Sequence, residues 1–183
     1  KMKINLNQKL IGLIEYYNLI NTKILLSNNP IKRVNKDTTD KFAGTKLEKL
    51  NKLRKKILLI KNCQLKKNAT NLVFGDGNIQ SKIMIIGEGP GANEDAEGKP
   101  FVGRAGKLLD KMLAAIQLDR TKVYISNVVN YRPPENRKPT EEEIERYLPY
   151  LKKHIEIINP KILLLLGSTA LNALIGNAVV ISK

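Results

Sequence analysis

Apolar residues recur along this chain in two patterns, short uninterrupted runs and stripes at helical spacing. The runs lie at 83–86, 123–125 and 162–166, and each is followed by glycine or small polar residues. Continuous apolar runs that end in turns are typical of buried parallel strands rather than half-exposed antiparallel ones. The pattern therefore predicts neighbouring parallel strands at about 83–87, 123–127 and 162–166.

Between these runs the apolar positions recur every three or four residues, which indicates helices. One helix is predicted at 103–117 and another after 167. A third is predicted from Thr140, with Glu143 completing a capping box. His154 lies at the edge of its apolar stripe, which indicates a structural histidine. The alternation of strands and helices predicts a three-layer α/β/α sandwich with a parallel sheet, whose ligand should sit beyond the C-terminal strand ends.

The N-terminal part of the chain has a different pattern. We predict an amphipathic helix within residues 1–26 and a basic flexible linker, without periodicity, over 27–46. The α/β domain is predicted to occupy 47–183, opening with a helix from Leu47 to about Ile60. The fold prediction is thus an α/β domain with an N-terminal helical extension.

Charge adds the first functional hint. The chain has a formal net charge of +15 and a pI near 9.9. Residues 1–62 hold 15 Lys and Arg against 4 Asp and Glu, a net of +11, so +4 remains for the rest. Such charge favours a polyanionic partner, above all nucleic acid, although a lysine-rich proteome would also explain it.

Other features of the composition narrow the class of protein. Cys63 is the one cysteine, so a disulfide framework within the chain is excluded and a reducing, cytoplasmic location is expected. No stretch reaches 18 apolar residues, so we expect no membrane partner. We expect a monomer.

The loop after the first predicted strand contains several glycines. Gly87, Gly89 and Ala92 formally match a dinucleotide-binding pattern. We expect the next helix only about fifteen residues later, too far to bind a pyrophosphate at its N-terminus. The second strand also ends without an acid for a ribose. A nucleotide-binding α/β domain therefore stays open as the less favoured alternative.

Carboxylates, an aromatic ring and an amide follow the two neighbouring strands. Glu88 and Glu94 flank the glycines, Phe101 follows a proline, and Asn127 ends the second strand. These groups at adjacent strand ends suit a nucleobase extruded from DNA. Each has a simpler explanation: Phe101 as core, Asn127 as a loop cap, and the glutamates as solvated acids.

Three long segments resemble the family 4 uracil-DNA glycosylases. They are GEGPGANEDAEGKPFVGRAGKLLDKML, YISNVVNYRPPENRKPTEEEIERYLPYL and INPKILLLLGSTALNALIG, in that order. The resemblance covers about residues 63–183 and implies hydrolysis of the N-glycosidic bond of uracil in DNA, in base excision repair. A DNA-binding remnant of such an enzyme without activity is the alternative.

The resemblance also implies roles for individual residues. Phe101 would stack on the extruded uracil, and Asn127 would read its O4 and N3–H. Glu88 and Glu94 would orient water and stabilise an oxocarbenium-like sugar. Gly87 and Gly89 would belong to the substrate-binding loop.

One departure from the family concerns its iron–sulfur cluster, which relatives hold with four cysteines. The matching positions here are Ile60, Cys63, Tyr131 and Tyr147. One ligand of four cannot hold such a cluster, so we expect no cofactor and no metal.

A second departure lies at the C-terminus. Relatives continue to another strand and a His-Pro-Ser-type motif, whose histidine stabilises the departing uracil anion. This sequence ends at Lys183 before such a motif, so we expect a missing edge strand and weak excision on duplex DNA. Loss of a preorganised donor costs on the order of 10²–10³ in rate. A separately encoded C-terminal segment would then be a partner, besides uracil-containing DNA.

Overall fold

The computed structural model describes residues 44–176. The helix predicted within 1–26 and most of the linker lie outside these residues, as does anything at the C-terminus beyond 176. The helices are α1 (Lys46–Leu58), α2 (Gln64–Asn68), α3 (Ala92–Glu97), α4 (Arg104–Ala115), α5 (Glu141–Ile158) and α6 (Ser168–Ile175). The strands are β1 (Asp76–Gly77), β2 (Ile83–Gly87), β3 (Tyr124–Asn127) and β4 (Ile162–Leu165).

The described strands form one sheet in the order β1-β3-β2-β4. β2 is parallel to both β3 and β4, with Ile85 opposite Ile125 on one side and Leu164 on the other. The three predicted parallel strands are therefore confirmed. β1 pairs antiparallel with β3, so the sheet is mixed. A two-residue strand lacks the apolar run by which the others were predicted.

Helices cover both faces of the sheet, and the predicted three-layer α/β/α architecture is confirmed. Met84 and Ile86 pack into a core with residues of α1, α5 and α6, whereas Ile85 packs against Leu109 and Leu113 of α4. Successive residues of a strand point to opposite faces, and every residue from 84 to 86 is fully buried. This burial on both faces explains why the run carries no polar alternation.

Capping residues set the starts of the two longest helices. The Thr140 hydroxyl accepts a hydrogen bond from the Glu143 amide, and the Glu143 carboxylate accepts one from the Thr140 amide, as predicted. The same box formed by Thr45 and Glu48 starts α1 at Lys46, one residue before the predicted helix start at Leu47. α1 and α5 pack together on one face of the sheet.

The loop after β2 is more ordered than the sequence suggested. A helix was expected only near residue 103, yet α3 begins at Ala92, immediately after Gly91. It has six residues and ends at Gly98, whose φ of 69° is readily adopted only by glycine. The short α3 holds the acidic part of the loop beside the strand ends. Within residues 44–176, no helix combines the length and apolar character needed to cross a membrane.

Candidate active site

A pocket of about 380 Å³ opens at the C-terminal ends of β2 and β3. This is where a ligand is expected in a parallel sheet with crossover helices. Four of the six predicted site residues line it, namely Gly89, Glu94, Phe101 and Asn127. Gly87 and Glu88 are not among its lining residues. The structure thus brings these four residues together in one pocket.

Asn127 supplies a buried polar atom that lacks a partner. The residue ends β3 and is only 2% exposed. Its Oδ1 accepts no hydrogen bond from the described residues. The nearby Asn130 is equally buried, but its amide donates to the carbonyl of Val73 at 3.0 Å. Because buried polar groups are normally paired, an orphaned amide oxygen in a pocket wall indicates a ligand that donates a hydrogen bond.

Gly87 lies behind the pocket wall and leaves room for two of its side chains. A Cβ on Gly87 would lie 2.4 Å from Cζ of Phe101 and 2.7 Å from Oδ1 of Asn127. Those distances are too short for any side chain to fit without displacing them. Gly87 therefore contributes to the site because its lack of a side chain leaves space for Phe101 and Asn127.

Phe101 has a backbone conformation that is uncommon for an aromatic residue. Its φ is 56°, in the left-handed region, where a side chain is strained. α4 packs closely on this backbone, since a Cβ on Gly106 would lie 1.7 Å from the Phe101 carbonyl oxygen. The ring is thus placed in the pocket wall by tertiary contacts that outweigh a local cost of roughly 1–3 kcal/mol.

Arg120 supplies much of that restraint. Its guanidinium donates to the carbonyl of Pro100 at 3.1 Å and to the carbonyl of Phe101. It also forms ion pairs with Asp110 at 2.9 Å and Asp76 at 3.3 Å. Burial acts to lower the pKa of Arg120, but its bonds to the two aspartates outweigh this and raise it. One side chain thereby ties β1 and α4 to the loop that carries the ring.

Sequence analysis missed Arg120, and no local pattern could have revealed it. It lies 19 residues after Phe101 along the chain, in a turn between α4 and β3. Its partners come from three separate segments, so its role depends on the tertiary fold.

Glu94 lines the pocket with most of its hydrogen-bonding capacity already used. Its Oε1 accepts from the amides of Val102 at 2.9 Å and Gly103 at 2.7 Å. Its Oε2 accepts from the amide of Gly91 at 3.1 Å. The carboxylate therefore fixes the start of α3 and the approach to α4, and places a negative charge in the wall. Glu94 therefore positions the surrounding backbone in addition to carrying a charge.

Glu88 has a different environment. It directly follows β2, and its carboxylate accepts a hydrogen bond from the Thr169 hydroxyl at the start of α6. The structure does not bring it together with Glu94, Phe101 and Asn127 in the pocket lining. Its predicted role in orienting water stays a prediction.

The four positions that hold an iron–sulfur cluster in relatives form part of the apolar core. The thiol of Cys63 lies 3.3 Å from the hydroxyl of Tyr147, both are buried, and the Tyr131 hydroxyl has no partner among the described residues. Ile60 packs against the same core. Burial raises the pKa of both tyrosines, so they stay protonated phenols. One thiol and two phenols do not fit a cluster held by four thiolates.

A basic turn at 132–139 follows β3, and its positive charge is partly neutralised. Arg137 forms two hydrogen bonds with the carboxylate of Glu143, at 2.7 and 2.8 Å, and this pairing lowers the pKa of Glu143. Arg132 donates to the side chain of Asn136, which itself lines the pocket. The contact with Arg132 therefore helps to hold Asn136 in the pocket lining.

Known proteins resemble this chain over the same region. The model of the uracil DNA glycosylase superfamily matches residues 74–182. Type-4 uracil-DNA glycosylases from Sulfurisphaera tokodaii, Archaeoglobus fulgidus and Thermotoga maritima are 48%, 47% and 49% identical to this chain. The matches cover 66–68% of the length of this chain. The matches cover 56%, 62% and 64% of those relatives, so the chain spans about three fifths of their length. A match to the family model over more than half of the chain identifies this protein as a member of the uracil DNA glycosylase superfamily.

Proposed function

We propose that this chain acts on uracil-containing DNA and hydrolyses the bond between uracil and its deoxyribose. The observation that carries the proposal is the orphaned Oδ1 of Asn127, buried in the wall of a pocket that also holds the ring of Phe101. The relatives of matching sequence are named for this activity. The enzyme class is a hydrolase of N-glycosyl bonds.

The Asn127 amide can distinguish uracil from cytosine. Its free oxygen accepts from N3–H of uracil while its NH₂ group donates to O4. Cytosine presents an acceptor at N3 and a donor at N4, the reverse pattern. The pocket therefore favours uracil by its hydrogen-bonding pattern.

Phe101 provides the stacking surface for the extruded base. Stacking of a base on an aromatic ring contributes about 1–3 kcal/mol and is tolerant of sequence. Because Arg120 and Gly106 fix the backbone of Phe101, little ordering is needed when the base enters. The ring thus adds affinity, and Asn127 adds specificity.

The chemical step requires charge stabilisation and water. The bond from C1′ to N1 breaks and its electron pair leaves with uracil. Water adds to C1′, and the proton that the water loses neutralises the uracil anion. We assign stabilisation of the positive sugar to the carboxylate of Glu94, and the support is that three amides hold it in the pocket wall. We assign the water-orienting role to Glu88, next to the pocket-lining Gly89.

We also infer that the protein works without an iron–sulfur cluster. The support is the donor set, in which Cys63 faces the phenol of Tyr147 in a packed core. Cys63, Tyr131 and Tyr147 pack together as ordinary core side chains. No step of the reaction proposed above needs a redox centre.

An assay of uracil release, paired with a binding assay, tests the proposal. The full chain is incubated with single-stranded oligonucleotides that differ only in uracil or thymine at one position. We expect release from the uracil strand, and Asn127→Asp to lower uracil preference by about 5- to 150-fold, the equivalent of 1–3 kcal/mol. Asn130→Asp is the matched control, because that amide bonds a backbone carbonyl outside the pocket.

The outcomes separate the alternatives. Uracil preference in binding without release supports a DNA-binding module that lacks activity. Equal binding of both strands, with no release, contradicts the proposed function. A loss of preference in Asn130→Asp as large as in Asn127→Asp would show that the effect is one of folding rather than recognition.

A further inference from the structure

A second depression lies beside the base pocket, along α4. It has a volume of about 820 Å³ and is lined by Asn93, Arg104, Ala105, Lys107, Leu108 and Lys111. Asn93, Arg104 and Ala105 also line the base pocket. The two depressions are therefore adjacent, and we call the second one the α4 groove.

Three cations line the α4 groove. Arg104, Lys107 and Lys111 are spaced three and four residues apart, so they project from one face of α4, and all three are exposed. Within residues 44–176, no carboxylate pairs with any of them. None of the residues lining the groove is acidic. The groove is thus a strip of unneutralised positive charge that leads away from the pocket.

The stability of α4 does not explain these charges. The N-terminus of a helix carries partial positive charge, so acidic residues favour the first turn and basic residues oppose it. α5 follows this rule with Glu141, Glu142 and Glu143, whereas the first turn of α4 has no acid and begins with Arg104. A cation that works against its own helix points to an external anion.

The spacing of the cations suits a nucleic-acid backbone. Seven residues of α-helix separate Arg104 from Lys111, a distance of about 10 Å along the axis. One strand of duplex DNA advances about 3.4 Å along the helix axis per nucleotide, so this length is comparable to the axial rise over about three nucleotides. The cations therefore match the phosphates nearest to a nucleotide whose base lies in the pocket.

We propose that the α4 groove binds the phosphodiester backbone of the nucleotides that flank the extruded uracil. This inference rests on the proposed function, since it takes the pocket as the site of the base. Arg104 stands at the junction, where it lines both depressions and contacts the phosphate closest to the target nucleotide. Lys107 and Lys111 contact the following phosphates.

The experiment compares two triple variants of the full chain. Arg104→Gln/Lys107→Gln/Lys111→Gln removes the charges of the groove. The control, Arg54→Gln/Lys55→Gln/Lys152→Gln, removes three exposed charges from α1 and α5, the layer on the opposite face of the sheet. Affinity for single-stranded oligonucleotides with uracil or thymine at one position is measured over a range of salt concentrations.

Each phosphate contact contributes about 0.7 to the salt slope on single strands, so the groove variant should lower the slope by about 2. The control variant should change it much less. A groove variant with the slope of the unmodified protein, or a control variant with an equal decrease, overturns the proposal. The second result would show general attraction by net charge.

A second probe locates the contact. Neutral methylphosphonate linkages placed next to the uracil should weaken binding of the unmodified protein and leave the groove variant unaffected. Equal sensitivity of both proteins overturns the proposal. If the unmodified protein binds uracil and thymine strands equally, the proposed function fails, and the slope difference still decides whether the groove binds the backbone. If uracil is preferred but the slope is unchanged, only the groove proposal fails.

Discussion

Gly87 lies against the ring of Phe101 so closely that a methyl group on Gly87 would come within 2.4 Å of the ring carbon Cζ. The same methyl group would lie 2.7 Å from Oδ1 of Asn127. The strand end, the Phe101 ring and the Asn127 amide therefore meet at a position where no side chain fits. This close approach packs the two pocket-lining side chains into one unit.

The first prediction is that Gly87→Ala impairs recognition of uracil more than it impairs folding. The φ of Gly87 is not positive, so alanine meets no backbone strain, and its methyl group displaces Phe101 and Asn127 instead. We expect a loss of uracil preference of 10-fold or more, with an overpacking cost of about 1–3 kcal/mol in the free energy of unfolding. Binding titrations and urea unfolding measure the two effects.

A double-mutant cycle provides the control. If the methyl group acts through the ring, adding Gly87→Ala to Phe101→Ala should cause a smaller further loss than it causes alone. Strict additivity of the two losses would contradict the explanation.

The three parallel strands could be predicted from the sequence because each contains a continuous apolar run, although β2 is buried on both faces and β4 is partly exposed. Ile83–Gly87 and Ile162–Leu165 are continuous apolar runs, and the crossover helices between the runs carry clear stripes and caps. Phe101 and Asn127 could be placed in one pocket because parallel strand ends meet at one edge. These inferences needed only local pattern and topology.

Other features could not be predicted from local pattern. α3 is too short for a helical stripe, and it is held by Glu94 through contacts from residues 91 to 103. Asp95 of α3 is buried and accepts hydrogen bonds from the amides of Thr70 and Asn71 at 3.0 Å. The contacts of Glu94 and Asp95 involve segments that are distant along the chain, and such contacts cannot be predicted from the spacing of apolar residues.

The second prediction concerns Arg120 as a positioning residue. Arg120→Gln should release the carbonyls of Pro100 and Phe101 and lower uracil affinity about 10-fold, because the ring must then be ordered on binding. Arg120→Lys should restore little, since an ammonium group cannot reproduce the planar fork. A fluorine label on the Phe101 ring, observed by NMR, should show a broadened signal in both variants of the free protein.

Asp110→Asn is the control for this prediction. It weakens one ion pair of Arg120 and leaves the contacts with the two carbonyls in place. The Phe101 signal should stay sharp in this variant. A sharp signal in Arg120→Gln would show that Arg120 does not order the ring.

The third prediction separates the two glutamates. In Glu94→Gln, an amide NH₂ group replaces one acceptor oxygen among three backbone amides, so the free energy of unfolding should fall by about 1–3 kcal/mol. Glu88→Gln can still accept from Thr169, so its unfolding should change by less than about 1 kcal/mol. Thermal unfolding measures both. Equal destabilisation by the two substitutions would contradict the structural role of Glu94.

The fourth prediction concerns the cluster. Protein prepared without oxygen should contain far less than one iron per chain, because Cys63 is the single thiol at the four matching positions. Cys63→Ser should then leave the absorbance spectrum unchanged and alter stability only through the contact with Tyr147. About four irons per chain, lost in Cys63→Ser, would contradict the inference.

The last prediction follows from His154, which is buried between two aromatic rings. Its Nε2 lies 2.9 Å from the Tyr124 hydroxyl, and its ring stacks on Phe74 at a centroid distance of 4.3 Å. Burial lowers the pKa of His154 from 6.5 to about 3, so the folded protein holds it neutral where the unfolded chain is protonated. Between these values the unfolded state binds the extra proton, and stability falls with decreasing pH by about 1.36 kcal/mol per unit.

This effect can be isolated because His154 is the single histidine of the chain, and carboxylates have ordinary pKa values near 4. From pH 7 to pH 5 the free energy of unfolding should fall by about 2 kcal/mol, measured by urea unfolding. His154→Gln keeps an acceptor for Tyr124 but cannot titrate, so its stability, although lower at pH 7, should be nearly constant over that range. An equal decrease in His154→Gln and the unmodified protein would show that the acid sensitivity has another source.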